Sequence, residues 1–233
     1  NHPDRGRVSP ALFIPIAEET SLISRLGEWT MRQACADAAT WPGDLRVAVN
    51  VSPIQFANPN LPQVVLNALA HADLQPDRLE LEITESVFID GGADAEATFA
   101  TLKKIGVRLA LDDFGTGYSS LGYLKSAPFD KIKIDQSFVR SVADPASRNN
   151  AIITAIVALA RAMGMETTAE GVESLDQLEA LRALDVGLIQ GYLYSLPVSA
   201  GAVAGMVGDG QGEIQSIGPA KQRGSRVATF RRI

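Results

Sequence analysis

A single cysteine, Cys35, stands in this 233-residue chain, so no internal disulfide can form. It lies in a helix-like run and reads as a small buried apolar residue. So little cysteine fits a reducing compartment, and a cytoplasmic location is expected. Long apolar runs are also missing. The longest, Ala151 to Ala162, is broken by Thr154 and Arg161 and is too short for the ~20 residues that cross a bilayer. No secretory leader is visible, and the chain opens on Asn1 without a Met. Residues upstream, with any sensor domain or leader they hold, are therefore expected in the parent. No G-x-G-x-x-G follows the first strand-like run, which speaks against a doubly wound dinucleotide fold. A basic excess is absent as well. The net charge is −6, with +4 after Gly210 (Lys221, Arg223, Arg226, Arg231 and Arg232 against Glu213) and therefore −10 before it. Such a body argues against DNA binding. To handle an anionic substrate it would need metal ions between.

What is present is an alternation of short β-branched runs with longer helical ones. Strands are expected at Arg46 to Val51, Leu79 to Thr84, Val107 to Leu111, Lys131 to Ile134, Glu166 to Ala169 and Gly187 to Gln190. Helices are expected at Pro10 to Glu18, Leu26 to Thr40, Leu61 to Ala72, Asp94 to Ile105, Ser119 to Lys125, Arg148 to Met163 and Ser174 to Leu184. The last of these opens on a Ser174/Gln177 capping box. Strand–helix units of this length are the mark of βαβ crossovers and a parallel sheet. A closed (β/α)8 TIM-like barrel is the expected fold. Six of its eight strand–helix units are visible, so two strands are expected upstream of Asn1. Residues 1–207 form this barrel, and 208–233, rich in Gly, Gln and basic side chains, read as a tail or appended segment.

The strands are unusually polar for a sheet buried on both faces. Each closes on a polar group: Asn50, Glu82, the pair Asp112 and Asp113, Lys133 with Asp135, Glu170, and Gln190. In a parallel barrel these ends open onto one rim, which is where active sites lie. Several carboxylates crowd together only when something positive joins them. An all-oxygen set suits Mg²⁺ or Mn²⁺ better than zinc, since His2 and His71 lie outside every strand end. A pair of ions there could activate a water toward phosphorus. Lys133 could orient that water or offset charge. Each residue alone also has an ordinary structural use, as an ion pair or a turn. Six polar strand ends out of six are what favour a site.

Read in order, FIPIAEE (Phe13 to Glu19), NVS (Asn50 to Ser52), ELEITE (Glu80 to Glu85), DDFGTGYSSL (Asp112 to Leu121), KIDQSFV (Lys133 to Val139), AEGVE (Ala169 to Glu173) and QGY (Gln190 to Tyr192) resemble the EAL family of cyclic di-GMP phosphodiesterases. The resemblance runs from His2-Pro3 to about Pro197. It implies a (β/α) barrel with one antiparallel strand and hydrolysis of cyclic di-GMP to linear pGpG. By motif match, Asn50, Glu82, Asp112 and Asp113 are metal ligands. Lys133, Glu170, Asp135 and Gln190 serve the reacting water and the metal shell. Glu85 holds the DDFGTGYSSL loop in shape, and Glu173 and Pro197 lie near a guanine. The all-oxygen set implies Mg²⁺ or Mn²⁺, two ions in all, and inhibition by the larger Ca²⁺; the resemblance further implies a homodimer and fusion to an upstream sensor or diguanylate cyclase-like domain. The family's name-giving Glu-Ala-Leu is expected a few residues before His2-Pro3, outside this sequence, in keeping with the strand count. The alternatives are a degenerate domain that binds cyclic di-GMP without hydrolysing it, and a barrel with a structural role only. The intact ligand set and loop motif favour the enzyme.

Overall fold

Along each strand successive side chains point to opposite faces, and the sheet separates an apolar set from a charged one. The computed structural model describes residues 4, 6, 8–90, 92–115, 122, 124, 127–207 and 227–228. Strands β1 (Arg46–Val51), β2 (Leu79–Thr84), β3 (Arg108–Phe114), β4 (Lys131–Ile134), β5 (Glu166–Ala169) and β6 (Leu188–Ile189) lie side by side in chain order, every neighbouring pair parallel. They curl into a half-barrel of the TIM-like (β/α) kind. A two-residue strand, β7 (Val227–Ala228), pairs in parallel with Arg46 and Val47 at the free edge of β1. Among the described residues every ladder is parallel, so the antiparallel strand expected of the family is not among them.

Helices α1 (Pro10–Glu19), α2 (Ile23–Ala39), α3 (Pro53–Phe56), α4 (Leu61–Ala72), α5 (Val87–Asp90), α6 (Gly92–Ile105), α7 (Gln136–Val139), α8 (Arg148–Ala162), α9 (Leu175–Ala183) and α10 (Ala200–Val207) accompany the sheet. Their buried positions recur at helical spacing: Leu61, Val65, Ala68 and Leu69 on α4, and Ile153, Ile156, Val157 and Ala160 on α8. These stripes meet the outer face of the sheet, Val47, Val49, Val51, Leu79, Leu81, Ile83, Leu109, Leu111, Ile132 and Ile134, in one continuous core. The expected Ser174/Gln177 capping box is formed at the start of α9. Helix α2 begins at Ile23, before the expected Leu26. The short helix expected over Ser119–Lys125 falls outside the described residues save for Gly122 and Leu124.

The inner face is charged. At its floor, Lys131 Nζ lies 2.6 Å from Glu80 Oε1, both side chains almost wholly buried. Arg108 bridges Glu80 (3.4 Å) and Glu166 (2.7 Å), with Arg46 4.0 Å from Glu166. A buried pair of this kind is worth little against an apolar replacement, yet removing one partner strands the other. Lys131→Met should therefore destabilise the protein by about 3–5 kcal/mol, and adding Glu80→Gln should recover part of the loss. Urea unfolding of the single and double variants checks this. A single variant as stable as wild type would show that the floor pair contributes nothing.

Candidate active site

Two residues further up the same strands the acids outnumber the cations. The register pairs Asn50 with Glu82 and Thr84 with Asp112, so β1, β2 and β3 present these side chains in adjoining layers. Lys133 Nζ stands 2.8 Å from Glu82 Oε1, 2.9 Å from Asp112 Oδ1 and 2.7 Å from Glu170 Oε1. All four side chains are buried. These are charge contacts at hydrogen-bond distance rather than aligned hydrogen bonds, since among the described residues Lys133 Nζ meets no acceptor at hydrogen-bond angles. Asp112, Asp113 and Glu170 each offer a carboxylate oxygen within 4.8 Å of the others.

Adjacent residues of a regular strand point to opposite faces, so Asp112 and Asp113 should not meet. The structure shows why they do. The strand expected to end at Leu111 runs on to Phe114, and its register against β4 passes from Leu111↔Ile132 to Phe114↔Ile134. Three steps on β3 thus match two on β4, which is a bulge. Asp113 takes up the extra residue with φ 54°, left-handed backbone that Asp tolerates better than most residues. The bulge brings its carboxylate to the side of Asp112.

Electrostatics follow from burial. Burial pushes the Glu82 carboxyl up from its ordinary 4.5 to about 7, Asp112 and Glu170 adding to the rise while Lys133 opposes it. Asp113 is also raised, by burial first and then by Asp112, Glu170 and Asp135. For Lys133, burial favours the neutral amine, but Glu82, Asp112 and Glu170 together outweigh it and raise the pKa. Lys133 is therefore an ammonium, a donor and not a base.

The remaining expected residues fall into two groups. Asp135 follows β4 and caps α7, its Oδ1 accepting from Ser137 N at 2.9 Å. Asp135 also acts electrostatically on Asp113. Gln190 is held by its backbone, N donating to Ala169 O (2.9 Å) and O accepting from Val172 N (3.1 Å). Its buried Oε1 has no hydrogen-bond partner among the described residues. Glu85 Oε1 accepts from Gly115 N at 3.2 Å, tying it to the start of the Asp112–Leu121 segment, of which residues 116–121 lie outside the described set. Asn50, beside Glu82, is exposed. Glu173 and Pro197 stand exposed on the segments after Glu170 and Gln190 and are not drawn into the cluster. Sequence reasoning passed over Thr168, the register partner of Lys133, whose buried hydroxyl has no partner among the described residues. Its signal was a polar side chain on the same face as Glu166 and Glu170.

The donor set suits a hard divalent cation. Glu82, Asp112, Asp113 and Glu170 are four carboxylates against one ammonium, with the Gln190 carbonyl oxygen nearby in the chain fold and no sulfur or imidazole among them. None of the described helices is long and apolar enough to cross a membrane.

Comparison with known proteins agrees on one family. The EAL domain model matches residues 1–197. Protein y4lL of Sinorhizobium fredii is 50% identical over 200 residues, 85% of this chain and 24% of that protein. MucR of Pseudomonas aeruginosa, a bifunctional diguanylate cyclase/cyclic di-GMP phosphodiesterase, is 42% identical over 206 residues, 85% of this chain and 30% of that protein. The chain thus spans 24% and 30% of the length of these two relatives. The solved PaMucR phosphodiesterase in its c-di-GMP complex superposes with a TM-score of 0.82 and 40% identity, over 87% of this chain and 83% of the other.

The raised Glu82 carboxyl has a stability consequence. Between pH 4.5 and about 7 the folded chain holds a proton that the unfolded chain has released. Metal-free protein should lose stability as pH rises through that window, by a few kcal/mol at ~1.4 kcal/mol per pKa unit, and level off above it. Asp113 adds a slope of the same sign. Urea melts in chelator across this range measure it, and Glu82→Gln should flatten most of the slope. A wild-type curve already flat from pH 4.5 to 7 would contradict the burial argument.

Proposed function

The chain belongs to the EAL domain family, and on that premise we propose that it hydrolyses cyclic di-GMP to linear pGpG with the aid of divalent metal. The observation that carries this reading is three buried carboxylates, Glu82, Asp112 and Glu170, around the Lys133 ammonium, with half-buried Asp113 beside them and Asp112, Asp113 and Glu170 oxygens within 4.8 Å of one another. Asn50, Glu82, Asp112 and Asp113 would hold Mg²⁺ or Mn²⁺, two ions on this reading. Such ions would lower the pKa of a water and offset phosphate charge. MucR, whose name includes cyclic di-GMP phosphodiesterase, supports the substrate.

The roles of the other residues follow from their charge and place. Lys133, kept protonated, donates to the incoming water or to phosphoryl oxygens and steadies the charge that builds there. Glu170, whose carboxylate lies 2.7 Å from Lys133, would accept the proton of that water. The water oxygen joins phosphorus, one P–O ester bond breaks, and a proton returns to the departing sugar oxygen. Asp135 and Gln190 complete the polar shell. Glu173 and Pro197, exposed at the rim, are assigned to a guanine. The same reading keeps residues 1–207 as the barrel and 208–233 as an appended tail. It places the activity in the cytoplasm. It also expects a homodimer and, since the relatives are several times longer, a further sensor or cyclase-like domain.

Three experiments test the proposal. Chelator-treated protein should be inactive, recover with Mg²⁺ or Mn²⁺, and be inhibited by Ca²⁺, whose larger and looser shell holds water differently. Asp112→Asn should lower turnover at least a hundredfold, the scale of losing one transition-state contact, with little change in melting temperature. Full activity without metal would overturn the reading. For Glu85, bound to Gly115 N, the expected variant is Glu85→Ala. Its turnover should fall and be partly restored at high Mg²⁺ or Mn²⁺, because metal favours the ordered loop by mass action. A metal titration that overlays wild type would remove Glu85 from any positioning role.

A further inference from the structure

Helix α7 is a single turn of four residues, too short to stand alone. It lies between the two segments that carry the acidic cluster. The Phe138 ring comes within 3.1 Å of where a Cβ on Gly115 would sit, and Gln136 Cβ within 2.6 Å of where one on Gly171 would sit. Gly115 follows Asp113 by two residues, and Gly171 follows Glu170 directly. Both glycines have positive φ, +93° and +69°, a backbone that L side chains rarely adopt, so glycine serves both the turn and the close approach. The turn is thus wedged between the bulge bearing Asp112 and Asp113 and the segment bearing Glu170.

What holds the wedge is the amide of Asn149. Its Nδ2 lies 3.2 Å from Ser137 O, 3.3 Å from Phe138 O and 3.0 Å from Ser141 Oγ. The last carbonyls of a one-turn helix have no partners within it, and Asn149 supplies one from outside. Asn149 in turn is fixed in the first turn of α8. Ser147 caps that helix by accepting from Asn149 N at 3.2 Å, and Ile153, Ile156, Val157 and Ala160 anchor it in the core. A rigid helix therefore reaches through one side chain to the turn, and through the turn to both glycines.

We propose that Asn149 is a positioning residue for the acidic cluster: it presses α7 against Gly115 and Gly171 and so sets the gap between Asp112–Asp113 and Glu170. The inference rests on the metal-binding reading of that cluster. Its signature is a loss of metal affinity without a matching loss of fold.

The test is Mn²⁺ alone, titrated into chelator-treated protein and followed by the spin-resonance signal of free Mn²⁺. The variant is Asn149→Asp, nearly isosteric but with no N–H to donate. An acid in the first turn of α8 suits the helix dipole, so the fold should hold. Mn²⁺ affinity should fall about tenfold, the scale of one or two lost hydrogen bonds, with an almost unchanged melting temperature. Asn150→Asp is the control. Asn150 Nδ2 donates to Asp144 O, away from α7, and its loss should leave Mn²⁺ binding as in wild type. Equal binding by wild type and Asn149→Asp would overturn the inference, as would equal weakening by Asn150→Asp. Should Asn149→Asp not fold, Phe138→Ala removes the ring from Gly115. It should weaken Mn²⁺ binding likewise, and unchanged binding would be the contrary result. Wild-type protein that takes up no Mn²⁺ would reject the metal-site reading and this inference with it, a result distinct from wild-type binding that the variants share.

Discussion

Carboxylates on one face of a parallel sheet repel one another, and burial makes the repulsion worse because water no longer screens it. Glu82, Asp112 and Glu170 occupy such a face within reach of a single ammonium, Lys133. That charge is what offsets their mutual repulsion. With it, the cluster keeps acceptor oxygens in a place where proteins ordinarily hold apolar side chains. The price is visible in Glu82, whose carboxyl is still pushed up to about 7. One positive charge relieves three carboxylates only in part, and the shortfall is what makes a further cation welcome.

The sheet tolerates this because each strand divides its labour strictly. On the outer face, Leu79, Leu81 and Ile83, with Leu109 and Leu111, are sealed by helices into the core. On the inner face, small residues separate the charged layers: Ala48 and Ala110 are buried yet lie outside the apolar core. The outer packing supplies the stability that lets the inner face be spent on chemistry. It also fixes register, since a one-residue slip would turn every carboxylate into the apolar layer.

That division is what made so much legible beforehand. Glu80 and Glu82, or Lys131 and Lys133, spaced by two in otherwise apolar runs, announce a strand with one polar face. Six such runs separated by helical spacing announce a parallel barrel. What the spacing hid was local. Asp112 and Asp113 are adjacent, and alternation sends adjacent side chains apart; only the bulge with left-handed Asp113 reunites them. A bulge depends on pairing with another strand, here β4, and that pairing has no local signature. The unpartnered hydroxyl of Thr168 was hidden for the same reason, because its neighbour Lys133 lies 35 positions away in sequence. Asn149 gave no sign either. In a linear reading it is one polar residue at the start of a helix, and its meaning comes from the carbonyls it reaches.

The two charged layers use nearly the same side chains to opposite ends. Strand β2 offers Glu80 below and Glu82 above, and β4 offers Lys131 below and Lys133 above. The difference is made by β3. At the floor it contributes Arg108, which joins Lys131 in neutralising Glu80 and goes on to Glu166. At the rim it contributes Asp112 and, through the bulge, Asp113. One strand therefore gives the lower layer cations for its acids and leaves the upper one short of them. A closed layer has its partners already and serves the fold. An open layer has more acceptors than donors and is completed only by something brought from outside, which is the physical condition for a cation site and for the phosphate chemistry assigned to it.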